Sequence, residues 1–258
     1  MSPFVNRRGW LQAGLASAGA LVLGACDRIT NSKQGVAVLQ SAEGLTRRAQ
    51  RLILDRKALA REFAPADIST DFKPNGSIDP TDADYLALKA KGFADYRLVV
   101  DGLVERPLSL SLADLRAAPS RTQITRHDCV EGWSSIGKWT GARLGPLLDR
   151  AGLKPNARYI VFHCADTLGE ATDGSGKYYE SIDLIDAYHP QTILAYAMND
   201  QALPVPHGAP LRLRVERQLG YKQAKYIMRI EAVADYSHLN GGAGGFWEDR
   251  GYEWYAGI

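Results

Sequence analysis

Of the side chains in this sequence, the three cysteines offer the most chemistry, and their settings differ. Cys26 closes the stretch Leu23-Gly24-Ala25-Cys26, and Cys164 follows a strand-like run, Arg158 to His163. Cys129 stands in His127-Asp128-Cys129-Val130-Glu131-Gly132-Trp133-Ser134, among polar residues and close to Trp133 and Trp139. A lone cysteine is most often a buried hydrophobe, but a thiol in polar company is a candidate soft ligand. Two arrangements compete on residue type alone. His127 and Cys129, two apart on a strand, point to one face, and with His163 or Cys164 they would make a zinc site. Alternatively, Cys129 and Cys164 form a disulfide, provided the compartment is oxidising.

Other chemistries find no support. No GxGxxG follows a strand, and neither a phosphate loop ending in Lys-Ser/Thr nor HExxH occurs. Gly174-Ser175-Gly176 lacks a full GxSxG context, and no CxxC exists. With 31 basic and 29 acidic residues among 258, no charge imbalance points to nucleic acid.

The elements that must position Cys129 are short. Leu45, Ala49, Leu52, Ile53 and Leu59 recur at helical spacing over Glu43 to Arg61. Residues 64 to 80 carry Pro65, Pro74, Gly76 and Pro80 and read as a loop. Thr81 with Asp84 resembles a capping box for a helix ending at Gly92. Strands are expected at Tyr96–Asp101, Thr122–Cys129, Arg158–His163, Thr192–Met198, Leu211–Glu216 and Ile227–Ala234. Helices are expected at Ser111–Ala118, Leu144–Ala151 with Gly152 as stop, and Ser181–Ala187. Short strands interspersed with short helices, without regular βαβ spacing, imply an α+β fold in one domain.

Beyond the single cysteine, the stretch Arg126 to Trp139, continuing through Gly141 and Leu144 to Leu148, closely resembles the molybdopterin-binding domain of the sulfite oxidase superfamily. The likeness is nearest to its branch of periplasmic protein-methionine-sulfoxide reductase catalytic subunits, whose Cys-Val-Glu-Ala-Trp-Ser segment differs from Cys129–Ser134 at one position. Leu203-Pro204-Val205-Pro206-His207-Gly208-Ala209-Pro210-Leu211-Arg212 and Gly220-Tyr221-Lys222-Gln223-Ala224-Lys225-Tyr226-Ile227 resemble the family's two cofactor segments. The resemblance covers most of residues 70 to 235. It implies a sulfite-oxidase-like fold of mixed sheets and a Mo-molybdopterin cofactor, with the metal bound by the Cys129 thiolate, the pterin dithiolene and oxo or hydroxo groups. A soft thiolate suits that centre, which holds it deprotonated.

By the same resemblance, cofactor contacts fall on Asn75, Ile78, Asp79, Cys164, His207, Arg212, Gln223, Ala224 and Lys225. Arg212 and Lys225 suit the cofactor's phosphate. Cys164 and His207 stand where the reductase branch has Thr and Asn. A Cys164 beside the cofactor would not sit easily with a disulfide to Cys129. Glu131, two residues beyond the ligand, is placed either as an acid near the substrate or as a hydrogen-bonded structural carboxylate. Two-electron oxygen-atom transfer is the implied reaction, with a sulfoxide or other neutral small molecule as substrate, because a carboxylate near the metal repels sulfite. A sulfite or other dehydrogenase, or a metal-free binding lipoprotein of the same fold, remains the alternative.

The N-terminus reads as targeting. Arg7 and Arg8 precede an apolar run from Trp10 to Ala25, shorter than the roughly 20 residues of a spanning helix. Asn6-Arg7-Arg8-Gly9-Trp10-Leu11 resembles a twin-arginine export signal, which carries folded, cofactor-loaded proteins. Leu23 to Cys26 resembles a lipobox, with Cys26 acylated, and Asp27 resembles an inner-membrane retention signal. The expected organisation is a signal at 1–25, a tether at 26–42 and one domain at 43–258, periplasmic and lipid-anchored. The expected mature protein is a monomer, with electrons supplied by a separate partner such as a membrane haem protein.

Overall fold

The structure is a computed structural model that describes residues 55–169 and 176–258, together with residues 32, 42, 44–46 and 48–53. The export signal, Cys26 and the tether up to residue 41, Ser32 apart, lie outside the described residues. Two units divide the chain, Met1–Leu54 and Asp55–Ile258. In the first, residues 42, 44–46 and 48–53 are helical. The helix expected as far as Arg61 does not continue past Asp55, whose carboxylate accepts from the Lys57 amide at 2.9 Å. That local side-chain bond competes with the helical one. No described helix is long and apolar enough to cross a membrane.

The described residues of the second unit form ten strands and four short α-helices. In chain order these are α1 (Ala83–Ala90), β1 (Leu98–Gly102), β2 (Leu108–Leu110), α2 (Leu112–Ala117), β3 (Ser120–Asp128), β4 (Ser134–Arg143), α3 (Leu144–Ala151), β5 (Tyr159–Thr167), β6 (Lys177–Asp183), α4 (Leu184–Ala187), β7 (Ile193–Met198), β8 (Gln201–Ala202), β9 (Arg212–Arg214) and β10 (Ile227–Val233). One sheet runs β2-β1-β10-β5-β6; the other runs β3-β4-β7-β8, with β9 paired to β7. All pairs are antiparallel except β1 with β10. The fold is α+β, as the element pattern implies.

Local chemistry explains most boundaries. Ser111 caps α2 and exchanges side-chain and backbone bonds with Asp114, a capping box. α3 ends on Gly152, which takes the left-handed conformation of a helix stop. At α1 the cap is Asp82, accepting from the Tyr85 amide, instead of the expected Thr81. Asn199 and Asp200 both adopt positive φ and turn β7 into β8 as a tight hairpin. Four strands are additions to the sequence reading: β2, β4, β6 and β8. β4 buries Ser135, Gly137, Trp139 and Gly141 on one face, so small residues hide its alternation. β6 takes Ser181–Asp183 from the expected helix, whose remainder starts at Leu184 behind the Asp183 cap.

The main core lies between the sheets, with Leu98, Leu110, Leu115, Leu148, Phe162 and Ile230 among its fully enclosed side chains. A smaller cluster around Phe72, Trp139, Ile193 and Leu203 covers the other face of the β4–β7 sheet. Burying such side chains contributes roughly 1.5–3 kcal/mol each and fixes the strands that carry the site.

Candidate functional site

Cys129 sits one residue past β3, at the start of the loop joining β3 to β4. Its carbonyl accepts from the Gly132 amide at 3.0 Å, and its own amide donates to the Trp133 carbonyl at 2.9 Å. The closed turn requires φ of +86° at Gly132, a conformation that costs a side-chain-bearing residue. The turn leaves the half-buried Cys129 facing a cleft with about 670 Å3 of empty space, part of it open to solvent. Asn75, Gly76 and Ser77 form one wall, and Gly220, Tyr221, Gln223 and Lys225 another. Asp166, Leu168, Tyr178, Trp247 and Tyr252 complete it. Burial pushes the Cys129 thiol up, and the Glu131 charge adds to that rise.

Both Cys129 and Cys164 are free thiols. Cys164 is buried in the main core opposite Ile227, off the cleft lining. Among the described residues no group of three His, Cys, Asp or Glu could hold a metal ion. His127 points inward instead, where Arg214 Nη1 donates to its Nδ1 at 3.1 Å. Arginine only donates, so the His127 proton is on Nε2. Burial, then Arg214 and Arg212, hold its basicity well below the ordinary value, so the ring is neutral. A Cβ on Gly220 would lie 2.5 Å from His127 Nε2, so only glycine lets the cleft wall approach that ring so closely.

The electrostatics of the wall are one-sided. Arg212 is fully buried, donates from Nη1 to the His207 carbonyl at 3.0 Å, and leaves Nε and Nη2 without a partner among the described residues. Burial, then Arg214, pull its pKa down to about 9. Lys225 is buried and donates to three carbonyls, those of Asn75 at 2.6 Å, Pro206 at 2.9 Å and Ser77. Burial, then Arg212, pull it down to about 7. Asp166 is buried too, and burial pushes its carboxyl up to about 7. A wall with two buried cations and one poorly ionised acid favours an anion.

The sequence-derived site residues divide into three groups. Asn75, Cys129, Glu131, Gln223 and Lys225 meet on the cleft lining. Arg212, Ala224, His207 and Cys164 are off the lining, with Ala224 bonded to β9 through its carbonyl and the Leu213 amide at 2.8 Å. Ile78 is 54% exposed and Asp79 pairs with Lys89 at 2.6 Å, both off the lining. Glu131 is exposed; Trp133 Nε1 donates to it at 2.9 Å and Lys73 lies 3.4 Å away, and these two lower its pKa. Sequence reading passed over Asp166, Tyr178, Trp247 and Tyr252. The aromatic-rich tail from Phe246 onward was the one available signal for the last two.

A thiol facing a cleft backed by under-paired buried cations defines a protein that binds an anionic, metal-carrying cofactor. The sequence model of the oxidoreductase molybdopterin-binding domain matches residues 86–239, more than half of the chain, and the chain belongs to that family. A putative protein-methionine-sulfoxide reductase subunit YedZ1 from Azospira oryzae is 34% identical over 251 residues, 97% of this chain and 87% of that protein. The protein-methionine-sulfoxide reductase catalytic subunit MsrP from Xanthomonas axonopodis pv. citri is 37% identical over 156 residues, 57% of this chain and 48% of that protein. The chain thus matches about half the length of that MsrP. The sulfane dehydrogenase SoxCD from Paracoccus pantotrophus aligns over 55% of this chain and 39% of that chain at 26% identity, with a TM-score of 0.49. The family resemblance drawn from Cys129 to Ser134 and the two later segments therefore holds, and the protein is a molybdopterin-dependent oxidoreductase.

The residues present fit that cofactor. Cys129 supplies a thiol on the lining, Arg212 keeps two buried N–H groups without partners, and Asn75 keeps a buried Oδ1 without one, all counted among the described residues. A phosphate-bearing group answers the first need and the amino edge of a pterin the second.

Proposed function

We propose that this protein reduces sulfoxides by two-electron oxygen-atom transfer at a molybdenum atom bound by Cys129. The observation that carries this reading is the Cys129 thiol on the lining of the cleft that Lys225 and Gln223 also line. When bound, the cofactor supplies the two-electron redox chemistry. The protein's part is to hold and shield it. Cys129 would ligate the metal, Arg212 and Lys225 would neutralise the phosphate, and Asn75 and Gln223 would orient the pterin.

The mouth of the cleft favours a neutral substrate. Val130 is 48% exposed and Tyr252 38% exposed, and half-buried Leu168 and Trp247 stand on the same lining. An apolar, aromatic rim suits the methyl and methylene groups beside a sulfoxide better than a small dianion. Lys73 offsets the Glu131 charge at this edge, so repulsion of anions by Glu131 is a lesser argument than the rim.

The same proposal extends to the cell. The twin-arginine-like signal would export the loaded protein, Cys26 would anchor it by lipid on the periplasmic side of the inner membrane, and a membrane haem protein would deliver electrons. Metal analysis and turnover test the reading together. Protein isolated after export should hold close to one molybdenum per chain and reduce methionine sulfoxide in preference to oxidising sulfite. Metal-free protein with an intact fold, or sulfite as the better substrate, sinks it.

A further inference from the structure

Asp166 is an acidic cleft residue that its surroundings leave under-bonded. It lies in β5 where register breaks twice: pairing with β6 shifts between His163 and Thr167, and pairing with β10 shifts between Ile227 and Arg229. Such bulges re-aim side chains next to active sites. Here the result is a carboxyl only 2% exposed that lines the cleft shared with Cys129. Its Oδ1 has no hydrogen-bond partner among the described residues.

The groups that act on it come from four elements, and every donor among them is already committed. Lys225, just before β10, gives its protons to the carbonyls of Asn75, Ser77 and Pro206. Tyr85 of α1 donates to the Ala209 carbonyl at 2.8 Å. Tyr178 of β6 donates to the Tyr221 carbonyl, and Tyr226 to the Ser77 carbonyl at 2.9 Å. Cys164, two residues earlier on β5, is a buried thiol with a weak contact of 4.0 Å to the Phe162 carbonyl. Among the described residues the only donor to this carboxyl is its own backbone amide, and a buried carboxylate so poorly bonded costs too much to stay charged, so it takes a proton of its own. Lys225 moderates that tendency by its charge alone, and burial wins.

We propose that Asp166 is the proton donor of the reaction, a catalytic acid that protonates the oxygen leaving the sulfoxide. The proposal rests on the sulfoxide-reductase reading above. The balance is R2S=O + 2 e− + 2 H+ → R2S + H2O. The sulfur–oxygen bond breaks, and sulfur keeps the electron pair. The two electrons come from the reduced metal centre, itself refilled by the separate haem-type donor. Asp166 gives one proton and solvent gives the second. Asp166 is then reprotonated through the open mouth of the cleft.

The test uses the exported holoenzyme, wild type and Asp166→Asn. The variant should keep its full molybdenum and pterin content while kcat for methionine sulfoxide falls by about 100-fold or more, the range of a lost general acid. Wild-type kcat should decline as pH rises past 7, and that alkaline limb should vanish in the variant. Independently of turnover, infrared difference spectra between acid and alkaline pH should show a protonated-carboxyl band in the wild type that the variant lacks. Loss of cofactor from Asp166→Asn would make residue 166 a cofactor contact and overturn the proposal. So would an unchanged kcat and pH limb, or a wild type without the band. A wild type that turns over sulfite but no sulfoxide ends the sulfoxide reading and the acid role with it, while the band still reports whether residue 166 holds a proton.

Discussion

Arg212 and Arg214 stand two residues apart on β9, both fully buried and both over the ring of Trp139, at 4.9 and 4.4 Å. Their partners could hardly differ more. Arg214 donates to both oxygens of Glu216, at 2.9 and 2.6 Å, and to His127 and Thr125. Arg212 has one carbonyl and two idle N–H groups among the described residues. Lys222 and Lys225 repeat the contrast three residues apart. Lys222 lies 2.5 Å from each of two buried glutamates, Glu180 and Glu248, whereas Lys225 has only carbonyls. Arg214 and Lys222 are each paired with buried carboxylates. Arg212 and Lys225 have no carboxylate bonded to them among the described residues, which is the pairing an anionic cofactor would supply under the proposed function.

The sharpest break would come from Cys129→Ser, which should reduce bound molybdenum to background and abolish turnover; metal analysis of the purified variant decides it. Next, Arg214→Met should destabilise the protein by about 3–5 kcal/mol, the cost of stranding a buried partner, here Glu216. Arg212→Met in cofactor-free protein should cost less than about 1 kcal/mol, since it removes a cation that is already under-bonded. That variant should still lose roughly 10–100-fold in cofactor retention. Denaturant melts and metal analysis on the pair read both effects, and equal losses of stability would erase the distinction.

The pH dependence of cofactor-free protein sharpens the same point more gently. Lys225 has a folded value of about 7 against an ordinary 10.5. Between these the unfolded chain holds a proton that the folded site has released, so stability rises with pH above about 7. Asp166, at about 7 against an ordinary 3.8, works the other way. The folded site keeps a proton that the unfolded chain has lost, so stability falls as pH rises toward 7. Together they predict a stability minimum near neutrality. Lys225→Met should flatten its alkaline side in pH-resolved melts. Smallest of all, Lys73→Ala removes an exposed partner of Glu131 and should leave the melting temperature unchanged.

The sequence alone determined the α+β class and the helix stop at Gly152, and its motif resemblance to the family pointed to five residues that meet on the cleft lining: Asn75, Cys129, Glu131, Gln223 and Lys225. These are local matters of propensity and motif, written in neighbouring residues. It could not determine that His127 turns inward to Arg214, or that β4 runs through a stretch of small residues. Nor could it separate Arg212 from Arg214, identical in type and two positions apart. Tertiary structure decided those, because a buried charge is defined by what surrounds it, and its surroundings arrive from distant strands: Glu216 beside Arg214, a bulge that swings Asp166 into the cleft, and the tail that brings Trp247 and Tyr252 to its mouth.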